Sequence, residues 1–238
     1  MNKKNQYILA ASLALIITVA GGLYFWLQSQ KEILPDQLPP TATGDVTIDL
    51  MVVYNDAAGA MYNNNVQTRI NHLVDVSNQI YQDSGINFTL RLVHIEKVNY
   101  EEAYDSETAI IHLTNQSHPA FSDVPSLRAE YGADLVVLMR PYADDGYCGL
   151  AWIGGSGIEG DFSHSSEADF GYSLVSIDCS TNILAHELGH NMGLHHSRKQ
   201  NASGGTFDYA LGYGVDNDFV TVMAYSSEFS ARKINLFS

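Results

Sequence analysis

Apolar residues fall into blocks along this chain, and the spacing within each block assigns it an element. Residues 46–54 form a run rich in β-branched side chains, which predicts a strand. Val66, Ile70, Leu73, Val74 and Ile80 recur at the three-to-four spacing of one helix face. That helix is expected to end near Ser84-Gly85, where glycine supplies the stop. Residues 86–98 alternate apolar and polar positions, as a half-buried strand does. Ser106–Asn115 reads as a second helix, and residues 134–139 as a short, continuously apolar central strand. Residues 149–153 and 172–177 are further strand candidates, separated by a Gly-, Ser- and acid-rich stretch, 154–171, expected to be a loop. Strands alternating with helices predict an α/β domain with a mostly parallel sheet.

The longest apolar stretch lies ahead of this domain. Residues 7–27 are uncharged, come after Lys3 and Lys4, and are long enough to cross a bilayer. Tyr24, Phe25 and Trp26 stand where an interfacial aromatic belt would lie. Ala20-Gly21-Gly22 offers a small-residue cleavage site instead. Residues 1–27 therefore read as a signal-anchor or a signal peptide. Either reading exports the rest of the chain, as a membrane-anchored domain facing the periplasm or cell exterior or as a secreted one. Residues 28–44, with Pro35, Pro39 and Pro40, read as a linker, and residues 45–238 as one domain. The two cysteines, Cys148 and Cys179, form an even count in an exported chain, so a bridge is expected; two unrelated buried thiols are the alternative.

Composition narrows the function classes. Hydrophobic residues make up 45% and charged residues 16%, which excludes a disordered tail or a coiled coil. The formal net charge is −15, and the N-terminal lysines contribute none of that negative charge. Such a surface repels phosphate backbones, so no nucleic-acid partner is expected.

The chemistry concentrates in one stretch, His186-Glu187-Leu188-Gly189-His190-Asn191-Met192-Gly193-Leu194-His195-His196. On a helix, His186 and His190 share a face and can grip one ion. Glu187 can reach a water on that ion without ligating it. Gly193 permits the turn that brings His196 round as third ligand. Three protein ligands leave a fourth position open, the pattern of a catalytic Zn2+ site. His195 is the register competitor and is expected to line the site or face solvent. Further on, residues 219–225 form an apolar run containing Met223.

The extended histidine motif together with Thr221-Val222-Met223-Ala224-Tyr225 resembles the metzincin clan of zinc peptidases. The wording of residues 186–196 is similar to the reprolysin-like bacterial metallopeptidases, which include the peptidyl-Asp metalloendopeptidases. Tyr131-Gly132-Ala133-Asp134-Leu135-Val136-Val137, Cys148-Gly149-Leu150-Ala151 and the position of Cys179 support that subgroup. The resemblance implies a twisted, mostly parallel sheet above an active-site helix, with a small C-terminal subdomain after His196. It implies a zinc-dependent endopeptidase acting on protein or peptide substrates laid along an edge strand. Glu187 would be the general base, and Tyr225 a ligand or oxyanion donor, as in metzincins with Met-x-Tyr. The segment after Met223 would wall the pocket for the residue next after the scissile bond, where Arg232 and Lys233 are the only basic residues.

Three features depart from the family pattern. Ser197 stands where reprolysins usually carry Asp after the third ligand, little sequence comes after the Met-turn, and no pro-segment is recognisable. The rival reading is a catalytically silent binding module of the same fold, against which the presence of Glu187 argues. His72, His94, His112, His118 and His164 read as unpaired surface or core residues. Asp144-Asp145 and the acids of residues 159–161 lack the ordered spacing of a calcium loop.

Overall fold

Five strands pair edge to edge in a computed structural model of the chain, which describes residues 46–63, 65–101, 103–155 and 162–238. They are β1 (Val46–Asn55), β2 (Phe88–Val98), β3 (Leu135–Arg140), β4 (Gly149–Ala151) and β5 (Tyr172–Ser176), in the order β2-β1-β3-β5-β4. The pairings β1–β2, β1–β3 and β3–β5 are parallel; β4 alone runs antiparallel, against β5.

Parallel strands covered on both faces need apolar side chains at successive positions. Leu50 to Val53 and Val136 to Met139 are fully buried for this reason. Their side chains alternate between two cores. Leu50, Val52, Val137 and Met139 pack with Ile70, Leu73 and Ile80 of the helix Val66–Asp83 and with Leu184 and Leu188 of the helix Ile183–Asn191. Met51, Val53, Val136 and Leu138 pack on the other side with Ala109 and Leu113 of the helix Ser106–Asn115. The sheet is thus mixed but mostly parallel, with helices on both faces, as the alternation of patterns predicts.

The structure adds short elements that the pattern does not announce. Asp56–Met61 and Val124–Tyr131 are helices too short to show a face, the second with Pro125 in its first turn. Within the expected loop, Ser165–Phe170 winds into a 3-10 helix. The apolar run 219–225 is a strand only at β7 (Phe219–Val220), which joins β6 (Gly214–Val215) and β8 (Arg232–Lys233) in a small second sheet. The rest of the run is a turn in which Val222 and Met223 are buried because the helix Ile183–Asn191 packs on them, not because they pair in a ladder.

Three of the histidines read as unpaired surface or core residues have partners. His112 and His118 stack at 5.5 Å between ring centroids, and Tyr100 joins them. His94 lies 3.1 Å from Glu96 and stacks on Tyr131 at 3.9 Å. Asp145 is not a loose loop acid: its carboxylate accepts the Ser106 N–H at the start of a helix.

The apolar stretch 7–27, the linker 28–44 and the acids of residues 159–161 lie outside the described residues. Among the described residues, no helix is long and apolar enough to cross a membrane.

Candidate metal centre

All nine residues of the helix Ile183–Asn191 are buried, including His186, Glu187 and His190. The helix lies against β4 and β5, and three ties fix it there. Asn191 donates to the carbonyls of Trp152 (3.0 Å) and Tyr172 (3.1 Å). Arg69 holds the approaching chain through the carbonyls of Ile177 (3.0 Å) and Cys179 (3.1 Å). Cys179 is in turn bridged to Cys148, one residue before β4. The expected disulfide therefore clamps the edge strand to the segment that leads into the helix.

The helix stops at Gly193. Its N–H donates to His190 O and that of Leu194 to Gly189 O, each at 2.9 Å, which is the Schellman pattern of a glycine-terminated helix. Gly193 has φ +93°, and a Cβ there would strike Thr206. Glycine is therefore required both by the backbone conformation and by the space. The chain then folds back and presents His196 to the other two histidines.

Nε2 of His196 lies 3.3 Å from Nε2 of His186 and 3.1 Å from Nε2 of His190. Ligand atoms of all three residues fall within 4.8 Å of one another. The opposite nitrogens are engaged: Nδ1 of His186 reaches Val222 O and Nδ1 of His190 reaches Leu194 O, both at 2.8 Å. Each Nδ1 donates, so each Nε2 turns a lone pair inward. Converging lone pairs repel one another unless a cation lies between them. Tetrahedral zinc about 2.0–2.1 Å from imidazole nitrogens separates them by roughly 3.3–3.4 Å, so the donor set fits that ion. Burial drives His190 down to about 4, His196 to about 3 and His186 well below its ordinary value. The rings are therefore neutral, as ligands must be.

His195 is turned away from this cluster. Its Nδ1 accepts the backbone N–H of His196 at 2.7 Å, and its own backbone bonds Ala210 and Gly212. Met223 packs beneath the helix, its sulfur 2.7 Å from where a Cβ on Gly189 would sit. Ser197, at the position that departs from the family pattern, is buried and bonds Gln200 at 2.9 Å. Gln200 also accepts the Tyr225 N–H at 3.0 Å, so the pair ties the third histidine's segment to the Met223 turn.

Glu187 faces a cavity of about 240 Å3 whose lining includes Tyr147, Gly149, Ile183, Tyr225 and Lys233. Burial pushes its carboxyl up to about 8, against a smaller opposing pull from Lys233. Gly149 sits so close that a Cβ there would lie 2.5 Å from Glu187 Oε1. The Tyr225 ring stands 4.5 Å from that of His196, and its outer part is exposed to solvent. Burial, and secondarily Glu187 and Tyr147, raise its phenol, which stays a protonated donor at neutral pH. Sequence reading missed the tie made by Asn191 and the closeness of Gly149 to Glu187. Asn191 lies inside the motif and Gly149 in a quoted fragment, yet both roles depend on contacts across the fold.

The profile of metallo-peptidase family M12 matches residues 45–238. A protein of Pseudomonas aeruginosa named peptidyl-Asp metalloendopeptidase is 36% identical over 202 residues, covering 79% of this chain and 33% of that protein. One of the same name from Stenotrophomonas maltophilia strain R551-3 is 30% identical over 198 residues, covering 81% of this chain and 45% of that protein. The chain thus spans less than half the length of these curated relatives. A solved chain described as "Structure of a chaperone-substrate complex" shares the fold with a TM-score of 0.61 at 23% identity, over 82% of this chain and 29% of its own.

Proposed function

Since the chain belongs to metallo-peptidase family M12, we propose that it is a zinc-dependent endopeptidase in which His186, His190 and His196 hold the metal and Glu187 is the general base. The observation that carries this reading is the convergence of three inward-facing Nε2 atoms beside a buried carboxyl that opens on a cavity. A silent binding module would have no use for that carboxyl, whose burial the attraction of Lys233 offsets only in part.

Zinc, when bound, supplies the Lewis acidity that polarises a scissile carbonyl and lowers the pKa of a water toward about 7. Glu187 takes the proton of the attacking water and later delivers it to the leaving amine. Its desolvated carboxylate is a stronger base than one in water. Tyr225 donates its phenol proton in a hydrogen bond to the oxyanion. The edge strand β4 offers a free side along which an extended peptide adds as a further strand, with its scissile bond over Glu187. The relatives' name supports substrates cut at aspartyl residues. The disulfide and the apolar stretch 7–27 support export, whether the protein is anchored or released.

Casein digestion with and without a chelator tests the proposal. Activity should vanish with chelator and return with added zinc. Chelator-insensitive digestion contradicts the mechanism, and a zinc-loaded protein without peptidase activity points to the binding module.

A further inference from the structure

We infer that Lys233 is the residue that selects an acidic substrate side chain at the position after the scissile bond, an inference that rests on the endopeptidase reading above. The cavity beside Glu187 is lined by His186, Glu187 and Lys233 together. A side chain seated there belongs to a residue flanking the bond under attack. About 240 Å3 lies below the roughly 300–1,000 Å3 of small-molecule pockets and suits a single side chain.

Lys233 is the charged donor this cavity offers. Its ammonium is half-buried and bonds Val222 O at 2.8 Å, and no described carboxylate forms an ion pair with it. Tyr225 is assigned to the oxyanion above, and three other polar groups on the wall are already committed. The Tyr147 hydroxyl bonds Glu107 at 3.1 Å, the Asn182 amide bonds Asn235 at 3.1 Å, and Ser180 bonds Asn182 at 2.7 Å. An ammonium withdrawn from water is poorly satisfied by one neutral acceptor and by the attraction of Glu187, which desolvation outweighs, and a substrate carboxylate supplies the hydrogen-bonded charge it lacks. Arg232, the other basic residue of β8, is exposed and does not line the cavity. Successive residues of a strand point to opposite faces, which separates the two. A chain of net charge −15 repels acidic peptides at long range, so acceptance of one needs a local cation of this kind.

The rival role for Lys233 is structural, because Val222 O also accepts Nδ1 of His186. The experiment separates the two. Two peptides differing only by Asp or Asn after the cleaved bond are digested by the full chain loaded with zinc, and kcat and KM are measured. The wild-type protein should favour Asp by about 10- to 100-fold in kcat/KM. Lys233→Gln should bring that ratio near unity, its kcat/KM falling far more on the Asp peptide, through KM, than on the Asn peptide. Lys233→Met should do the same, while Lys233→Arg and Arg232→Gln keep the preference. An equal fall on both peptides assigns Lys233 to holding His186 if zinc is lost, or to acting on Glu187 if zinc is kept, and overturns the inference either way, as does an unchanged preference in Lys233→Gln. Wild-type protein that digests casein but cuts both peptides equally overturns it too and leaves the peptidase reading standing. Wild-type protein inactive on casein overturns both.

Discussion

Gly149 sets how closely the edge strand approaches Glu187, the proposed general base. A methyl group there would lie 2.5 Å from Oε1 and 2.6 Å from Cδ of Glu187, so Gly149→Ala must push the carboxylate aside. A displacement of about 1 Å at reacting groups costs on the order of 100-fold in rate. The variant should lose that much kcat and keep its zinc, which elemental analysis alongside kinetics checks. Tyr225 makes a complementary case. If its hydroxyl meets the oxyanion, Tyr225→Phe lowers kcat and kcat/KM together by about 100-fold while zinc content and Tm hold; unaltered kcat would remove it from the mechanism. For the ligands, His196→Ala should shed zinc and His195→Ala should retain it, since His195 spends its Nδ1 on the neighbouring backbone. The histidine trio was legible because residues four and ten apart in one motif encode their own geometry. Gly149 against Glu187 was not, because the two meet only through the disulfide and the turn of the sheet.

At the scale of elements, the helix stop is as consequential as the helix. Gly193 holds a left-handed conformation and lies against Thr206. Gly193→Ala should therefore cost at least about 1–3 kcal/mol of backbone strain and swing His196 off the metal, seen as a lower denaturation midpoint with reduced zinc. The Cys148–Cys179 bridge spans 31 residues, and its loss should remove about 2–4 kcal/mol of stability. Reduction and then urea titration measure this, and an unmoved midpoint would show that Asn191 and Arg69 suffice to hold the helix. The central strands were readable in the sequence because burial on both faces leaves an unbroken apolar run. The two-residue strands β6, β7 and β8 were not, since their pairing joins segments whose composition carries no period. The choice between Arg232 and Lys233 was hidden for the same reason: it turns on the facing of one residue in a strand two residues long.

For the molecule as a whole, assembling the site costs stability that the metal offsets. In metal-free protein the three histidines resist protonation, whereas in the unfolded chain they take up protons near their ordinary 6.5. Their contribution is present above pH 6.5 and is lost as the pH falls toward 4 and 3. Glu187, raised to about 8, works the other way, its contribution being present below about 4.5 and lost as the pH rises through 8. Between pH 6.5 and 4.5 three imidazoles outweigh one carboxyl, so the urea midpoint of chelator-treated protein should fall with acidification and fall less in His196→Gln. A slope that is the same in both proteins would mean these rings do not control it. The proposed peptide hydrolysis would rest, above all, on one buried carboxylate beside a three-histidine site. Zinc content and casein turnover of Glu187→Ala test the two together. One zinc per chain with activity lowered by at least about 100- to 10,000-fold is the expected result. Near-normal turnover in that variant would contradict the mechanism.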